Sequence, residues 1–199
     1  VGISKVIISA YKDKPEKFID RIRKFDIDKP LGLKFDNEPV PLIVAPGSDN
    51  WSMISLPFLS IGYGVKLTPL QLLSFYNSIP CNGKRILPVF ERCDTIELPV
   101  VLNQNICSSK TLTDARILLD NISDGPLKAA MGPVAFSGHT SVVSNFGGNY
   151  YDKSYLMITA AYFPSEKPKY SCIILINNEE MSYPNLSIMI FKDIIDYFN

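Results

Sequence analysis

The stretch Ile61-Gly62-Tyr63-Gly64-Val65-Lys66-Leu67-Thr68-Pro69-Leu70-Gln71 decides how the rest of the chain reads. Two glycines flank Tyr63 and permit a tight turn that a Cβ would resist. Thr68 is a helix-capping residue, and Pro69 fits the first helical position. Gln71 stands three residues after Thr68, as a capping box requires. Leu70, Leu72, Leu73, Phe75 and Tyr76 then offer an apolar face. The segment therefore reads as a loop feeding a capped helix to about Ile79, closed by the turn Asn82-Gly83.

Outward from that helix, periodicity supplies the other elements. Phe18, Ile19, Ile22 and Phe25 recur at helical spacing, so Pro15 to Phe25 reads as a helix with Asp13 as its cap. Lys29 to Ser60 is rich in proline and glycine and is expected to be mostly loop. Short strands are expected around Arg85 to Phe90. Thr111 to Ile122 reads as a helix with Leu112, Ala115, Leu118, Leu119 and Ile122 on one face. Val134 to Val143 is a strand interrupted by Gly138, and Asn145 to Tyr151 is a turn. Tyr155 to Phe163 and Tyr170 to Ile176 are β-rich runs joined by a hairpin loop at Pro164 to Lys169. Leu186 to Phe198 is an amphipathic helix. This pattern predicts an α+β architecture, an antiparallel sheet flanked by helices, in a single domain spanning 1–199.

Composition narrows the function classes. Of 199 residues, 46% are hydrophobic and 20% charged, and formal net charge is zero, so no basic footprint for nucleic acid exists. No run of about 18 apolar residues is present, and Val1 to Lys5 lacks the pattern of a signal peptide. Cys81, Cys93, Cys107 and Cys172 form no close pair of the zinc-site kind, and His139 is the one histidine. No metal and no cofactor are expected. The cysteines read as free, mostly buried thiols.

The order glycine-tyrosine-glycine, threonine-proline-leucine-glutamine, helix and asparagine-glycine turn resembles the transpeptidase domain of class B penicillin-binding proteins. Lys29 to Leu33 and Trp51 to Pro57 are similar to the segment before it. Gly83 to Phe90 resembles the family's exit into a small sheet. Ala161 to Pro164 and Pro168 to Cys172 resemble its last hairpin. The resemblance implies a partial penicillin-binding-protein/β-lactamase-like fold covering the later part of the domain. It also implies a place in peptidoglycan synthesis, in the periplasm or on the outer face of the cytoplasmic membrane. Implied partners are a peptidoglycan stem peptide or a β-lactam, if binding survives, and cell-wall or division proteins.

That family works through three motifs, and the resemblance locates the third. A lysine-threonine-glycine-threonine strand laid on Phe136-Ser137-Gly138-His139 keeps the glycine and a hydroxyl, with Thr140 next in the chain. Phe136 replaces the lysine and supplies neither charge nor hydrogen bond to a carboxylate. Gly138 suits close backbone approach by a ligand. The other two motifs have only short look-alikes. Ser9-Ala10-Tyr11-Lys12 has the spacing of a serine-lysine nucleophile pair. Ser48-Asp49-Asn50 has that of the serine-x-asparagine loop. Their places in the order are wrong, so Ser9 reads as a polar residue near a helix end and Ser48 to Asn50 as a turn. Val1 to Lys5 resembles the family's segment directly after the serine-x-asparagine loop, so both motifs are expected upstream of Val1 in a longer chain. No catalytic residue is assigned within these residues.

Three further groupings carry nothing sharper. Ser137, His139 and Ser141 share a strand face, unlike hydrolase triads drawn from separate elements. Glu166 and Glu179-Glu180 are the carboxylates nearest the hairpin, but adjacent strand residues face opposite ways, so Glu179-Glu180 reads as a solvated loop end and not as a catalytic pair. Tyr150, Tyr151 and Tyr155 read as sheet packing.

Overall fold

The computed structural model describes residues 2–34, 36–90, 98–123, 136–146, 153–178 and 185–198. They fall into two compact units, Val1–Phe75 with Lys84–Cys107, and Tyr76–Gly83 with Ser108–Asn199.

The first unit opens on helix α1 (Gly2–Tyr11), which the sequence reading did not anticipate. It has no fully buried residue, and Ile3 and Val6 are each 67% exposed. With no acidic first turn and no basic last turn, it carries none of the usual boundary signals. Helix α2 (Glu16–Arg23) buries Ile19. Pro15, not Asp13, stands at its start, and no side chain caps it. The region expected to be loop holds strand β1 (Leu42–Ile43) and the short helix α3 (Ser55–Leu59), which buries Leu56 and Leu59. Ser60 Oγ donates to Ser4 Oγ at 2.8 Å and ties the end of α3 to α1.

Strand β2 (Val65–Lys66) pairs antiparallel with β1, and Gly64 O extends the ladder by accepting from Val44 N at 2.8 Å. Gly62 and Gly64 both lie at positive φ, 94° and 79°, which is the backbone the tight turn demanded. Helix α4 (Pro69–Asn77) comes directly after. Strand β3 (Arg85–Ile86) then pairs with β4 (Val101–Asn103).

In the second unit, helix α5 (Ser109–Ser123) precedes a three-stranded antiparallel sheet. Its strands are β5 (Ser137–Phe146), β6 (Lys153–Phe163) and β7 (Tyr170–Asn178), with β6 in the middle. Register is continuous, with Ser137 opposite Tyr162, Gly138 opposite Ala161, and Ala161 opposite Cys172. Helix α6 (Leu186–Phe198) closes the unit. Phe136, Ala161, Phe163, Ile188, Phe191 and Ile195 form one buried cluster between sheet and helix. These elements bear out the α+β reading. Asn145, expected in a turn, lies instead in β5, which runs through Phe146, and 147–152 lie outside the described residues. Cys81, Cys107 and Cys172 are free and half-buried, less enclosed than expected, and Cys93 is outside the described residues.

Candidate functional site

The capping box forms as read. Thr68 N donates to Gln71 Oε1 at 2.8 Å, and Gln71 N donates to Thr68 Oγ1 at 3.2 Å, so both orphan donors at the helix start are satisfied. What the helix buries differs from expectation. Leu70, Leu72, Leu73, Phe75 and Tyr76 are only half-buried. The enclosed residues are Gln71 and Ser74, at 1% and 2% exposure.

Within the first unit these two residues meet a polar core. Gln71 Nε2 donates to Pro39 O at 3.0 Å and to Glu38 Oε1 at 3.3 Å. Glu38 also accepts from the backbone of Leu31, Gly32 and Leu33 at 2.5, 2.8 and 3.0 Å. Burial works to raise the Glu38 pKa, but these hydrogen bonds outweigh it and hold the carboxyl below the usual range. Ser74 Oγ donates to Ile86 O at 3.2 Å and receives Arg85 Nε at 3.4 Å. Arg85 is 1% exposed, and its Nη1 donates to the Asp26 carbonyl. Desolvation lowers the Arg85 pKa, while Asp26, Asp28 and Glu38 act to raise it. Asn103 and Lys29 both donate to the Asp26 carboxylate. This network joins the end of α2, the Leu31–Glu38 loop, α4, β3 and β4. A single charged residue, Arg85, in an ordinary-looking strand gave no sign of it.

The residues read as a degenerate third motif sit at the start of β5, and their side chains alternate between two helices. Phe136 is 5% exposed and meets the Phe191 ring edge-on, with centroids 5.6 Å apart. Gly138 is next on that face. A Cβ there would stand 2.3 Å from Ala161 Cβ and 2.6 Å from Ala160 O, so β6 already fills the space the glycine leaves. Thr140 lies 3.1 Å from Thr159 Oγ1, which in turn reaches Ser187 Oγ on α6 at 2.9 Å. On the opposite face Ser137 is fully buried and donates to the Asp120 carboxylate of α5. His139, two residues on, is exposed. Strand periodicity alone puts Ser137 and His139 together; the helix that each face meets was not legible.

Arg116, one turn before Asp120, donates to Ile79 O at 2.7 Å, Pro80 O at 3.4 Å and Asn82 Oδ1 at 3.0 Å, holding α5 to the turn after α4. Asn82 and Gly83, at φ 56° and 81°, make that turn.

The look-alike motifs are not brought together. Ser9 lies on α1 and is exposed. Lys12 borders a hollow of about 440 Å³ with Trp51, Met53 and Pro57, and Ser9 does not line it. Ser48 folds back on its own turn, its Oγ donating to Ala45 O at 2.8 Å, as the turn reading expected. Glu179, Glu180, Tyr150 and Tyr151 lie outside the described residues, while Glu166 is exposed and Tyr155 half-buried. Among the described residues no cluster of three metal-ligating side chains occurs, and no helix is long and apolar enough to cross a membrane.

Comparison with known proteins gives one consistent result. The model of the penicillin-binding protein transpeptidase domain matches residues 6–196. Penicillin-binding protein PbpB of Mycobacterium tuberculosis is 25% identical over 182 residues, 82% of this chain and 26% of that protein. Peptidoglycan D,D-transpeptidase FtsI of Escherichia coli is 24% identical over 185 residues, 90% of this chain and 30% of the relative. The chain thus spans under a third of the length of these relatives. Penicillin-binding protein 3 of M. tuberculosis, solved with ampicillin, superposes with a TM-score of 0.72 at 22% identity, over 92% of this chain and 45% of that one. The transpeptidase domain of Burkholderia pseudomallei penicillin-binding protein 3 gives 0.72 at 16% identity, over 98% of this chain and 61% of the other. With a family model covering all but a few terminal residues and a fold to match, the chain belongs to the penicillin-binding protein transpeptidase domain family.

Proposed function

We propose that these residues form the later part of a single transpeptidase-like domain in peptidoglycan assembly, outside the cytoplasmic membrane, and are not a competent acyl-transferase by themselves. The observation that carries this reading is Phe136. At the place where the resemblance puts a lysine, the side chain is packed against Phe191 in the core. A phenyl ring there offers a ligand carboxylate neither charge nor donor. Of the polar side chains of that strand start, Ser137 and Thr140 are engaged within the protein, and His139 is exposed. Ser48 Oγ is turned to Ala45 O, and Ser9 does not line the hollow that Lys12 borders.

The relatives' names supply the process, peptidoglycan transpeptidation, and one neighbour was solved with ampicillin. For this chain the reading is a family scaffold that supports cell-wall assembly through binding, with stem peptide as the ligand class. The test is incubation of the purified chain with a fluorescent penicillin, then denaturing electrophoresis. No covalent label is expected; a stoichiometric label would overturn the reading. A second reading, an enzyme completed by further sequence, is favoured by the small share of each relative that the chain spans. It is tested by seeking a serine-x-x-lysine and then a serine-x-asparagine in the coding sequence upstream of Val1.

A further inference from the structure

The β5 start has one hydroxyl aimed at α5, and a carboxylate of the protein already holds it. Ser137 has no exposed surface, and its Oγ donates to Asp120. Its register partner Tyr162, 3% exposed, brings a phenol within hydrogen-bonding reach of the same hydroxyl. A serine hydroxyl has one proton to give. Given to Asp120, it is not available to a second carboxylate. On the other face, Phe136 is buried and Thr140 belongs to the Thr159–Ser187 hydroxyl chain. Of the side chains at 136–140, His139 is the exposed polar one. Asp120 is itself exposed, so its charge stands beside any ligand that approaches this strand start. Arg116 is turned to the carbonyls of Ile79 and Pro80.

We propose that Asp120 is a specificity-determining residue: it occupies the Ser137 hydroxyl in the manner of a ligand carboxylate and closes this strand start to carboxylate-bearing ligands, leaving it selective for peptides with an uncharged end. The physical basis is twofold. A ligand carboxylate would lose its charge-assisted donor and would meet a like charge. A carboxamide meets neither penalty and can donate to Asp120. The proposal rests on the reading of Phe136 to Thr140 as a ligand-binding strand start.

The two probes are N-acetyl-D-alanyl-D-alanine and its C-terminal amide, which differ in charge and little else. The reporter is the His139 imidazole resonance, which is unambiguous because the chain has one histidine. In the unmodified chain the amide is expected to move this resonance at a concentration at least about tenfold lower than the acid. Asp120→Asn keeps an acceptor for Ser137 without the charge, and should bring the two probes within about twofold. Asp120→Ala frees the hydroxyl and should favour the acid. Circular dichroism and melting of each variant report folding, and Asp120→Asn carries the test if the alanine variant does not fold. Equal response to acid and amide in the unmodified chain overturns the proposal. So does a preference unchanged in Asp120→Asn, or a resonance that neither probe moves in any variant. Penicillin labelling reads acylation and the acid-to-amide ratio reads Asp120, so the two readings fail separately.

Discussion

Helix α4 and the start of β5 both stand out in the sequence, and they teach opposite lessons. In α4 the polar residues make the contacts their types announce, since Thr68 and Gln71 cap each other. In β5 the aromatic residue and the hydroxyl are taken up by distant elements, Phe136 by α6 and Ser137 by α5. A contact between residues three apart is fixed by helix geometry. A contact between residues 17 or more apart depends on how whole elements pack.

The sharpest way to break this comparison is Phe136→Lys, which puts a lysine where the resemblance lays one. If the Phe136 side chain lined a ligand wall instead of the core, the lysine would be tolerated. Placed in the Phe191–Phe163 core it should cost about 3–5 kcal/mol, from lost aromatic packing and a buried ammonium. Urea unfolding measures this, and an unchanged midpoint would show that the side chain can leave the core. Next comes Arg85→Met, which removes the charged donor from the Asp26 carbonyl and Ser74 Oγ and should cost roughly 2–3 kcal/mol by the same assay.

Gly138→Ala is expected to cost about 2 kcal/mol, because the new methyl meets Ala161 and the Ala160 carbonyl, and backbone gives way poorly. Thr68→Ala tests the local side and should cost about 1 kcal/mol; Thr68→Ser should restore most of it. The smallest effect is in pH. The Glu38 pKa is held down in the folded chain, so its contribution is present above the unfolded value and is lost as pH falls through the folded one. Melting temperature should therefore drop through the acid range more steeply in the parent than in Glu38→Gln. Some slope should remain, because hydrogen bonds from Lys29 and Asn103 outweigh burial and keep the Asp26 pKa low as well.

Legibility tracked the range of the interaction. The β6–β7 hairpin and α6 were read almost to the residue, because alternation and helical periodicity persist over 9 to 13 residues there. The α4 cap was read from two side chains. Helix α1 was missed because its ends carry no capping or charge signals and it buries nothing fully. The α4 apolar face was misjudged for a related reason. The helix is apolar nearly all round, so the pattern did not single out Gln71 and Ser74 as the enclosed side. In the segment Phe136 to Thr140, the glycine and the hydroxyl were legible. That Asp120 takes the hydroxyl was not, since nothing in the spacing of α5 marks its last turns for β5.

Gln71 narrows what this sequence can become. A capping box accepts glutamate as readily as glutamine, because only an acceptor oxygen is needed for Thr68 N. Here the other end of the amide must donate, to Pro39 O and to Glu38. A glutamate would keep the cap but set a second carboxylate against Glu38 and leave the Pro39 carbonyl unmet. The position therefore tolerates fewer amino acids than its motif allows, and a drift to glutamate there would have to be accompanied by a change at Glu38.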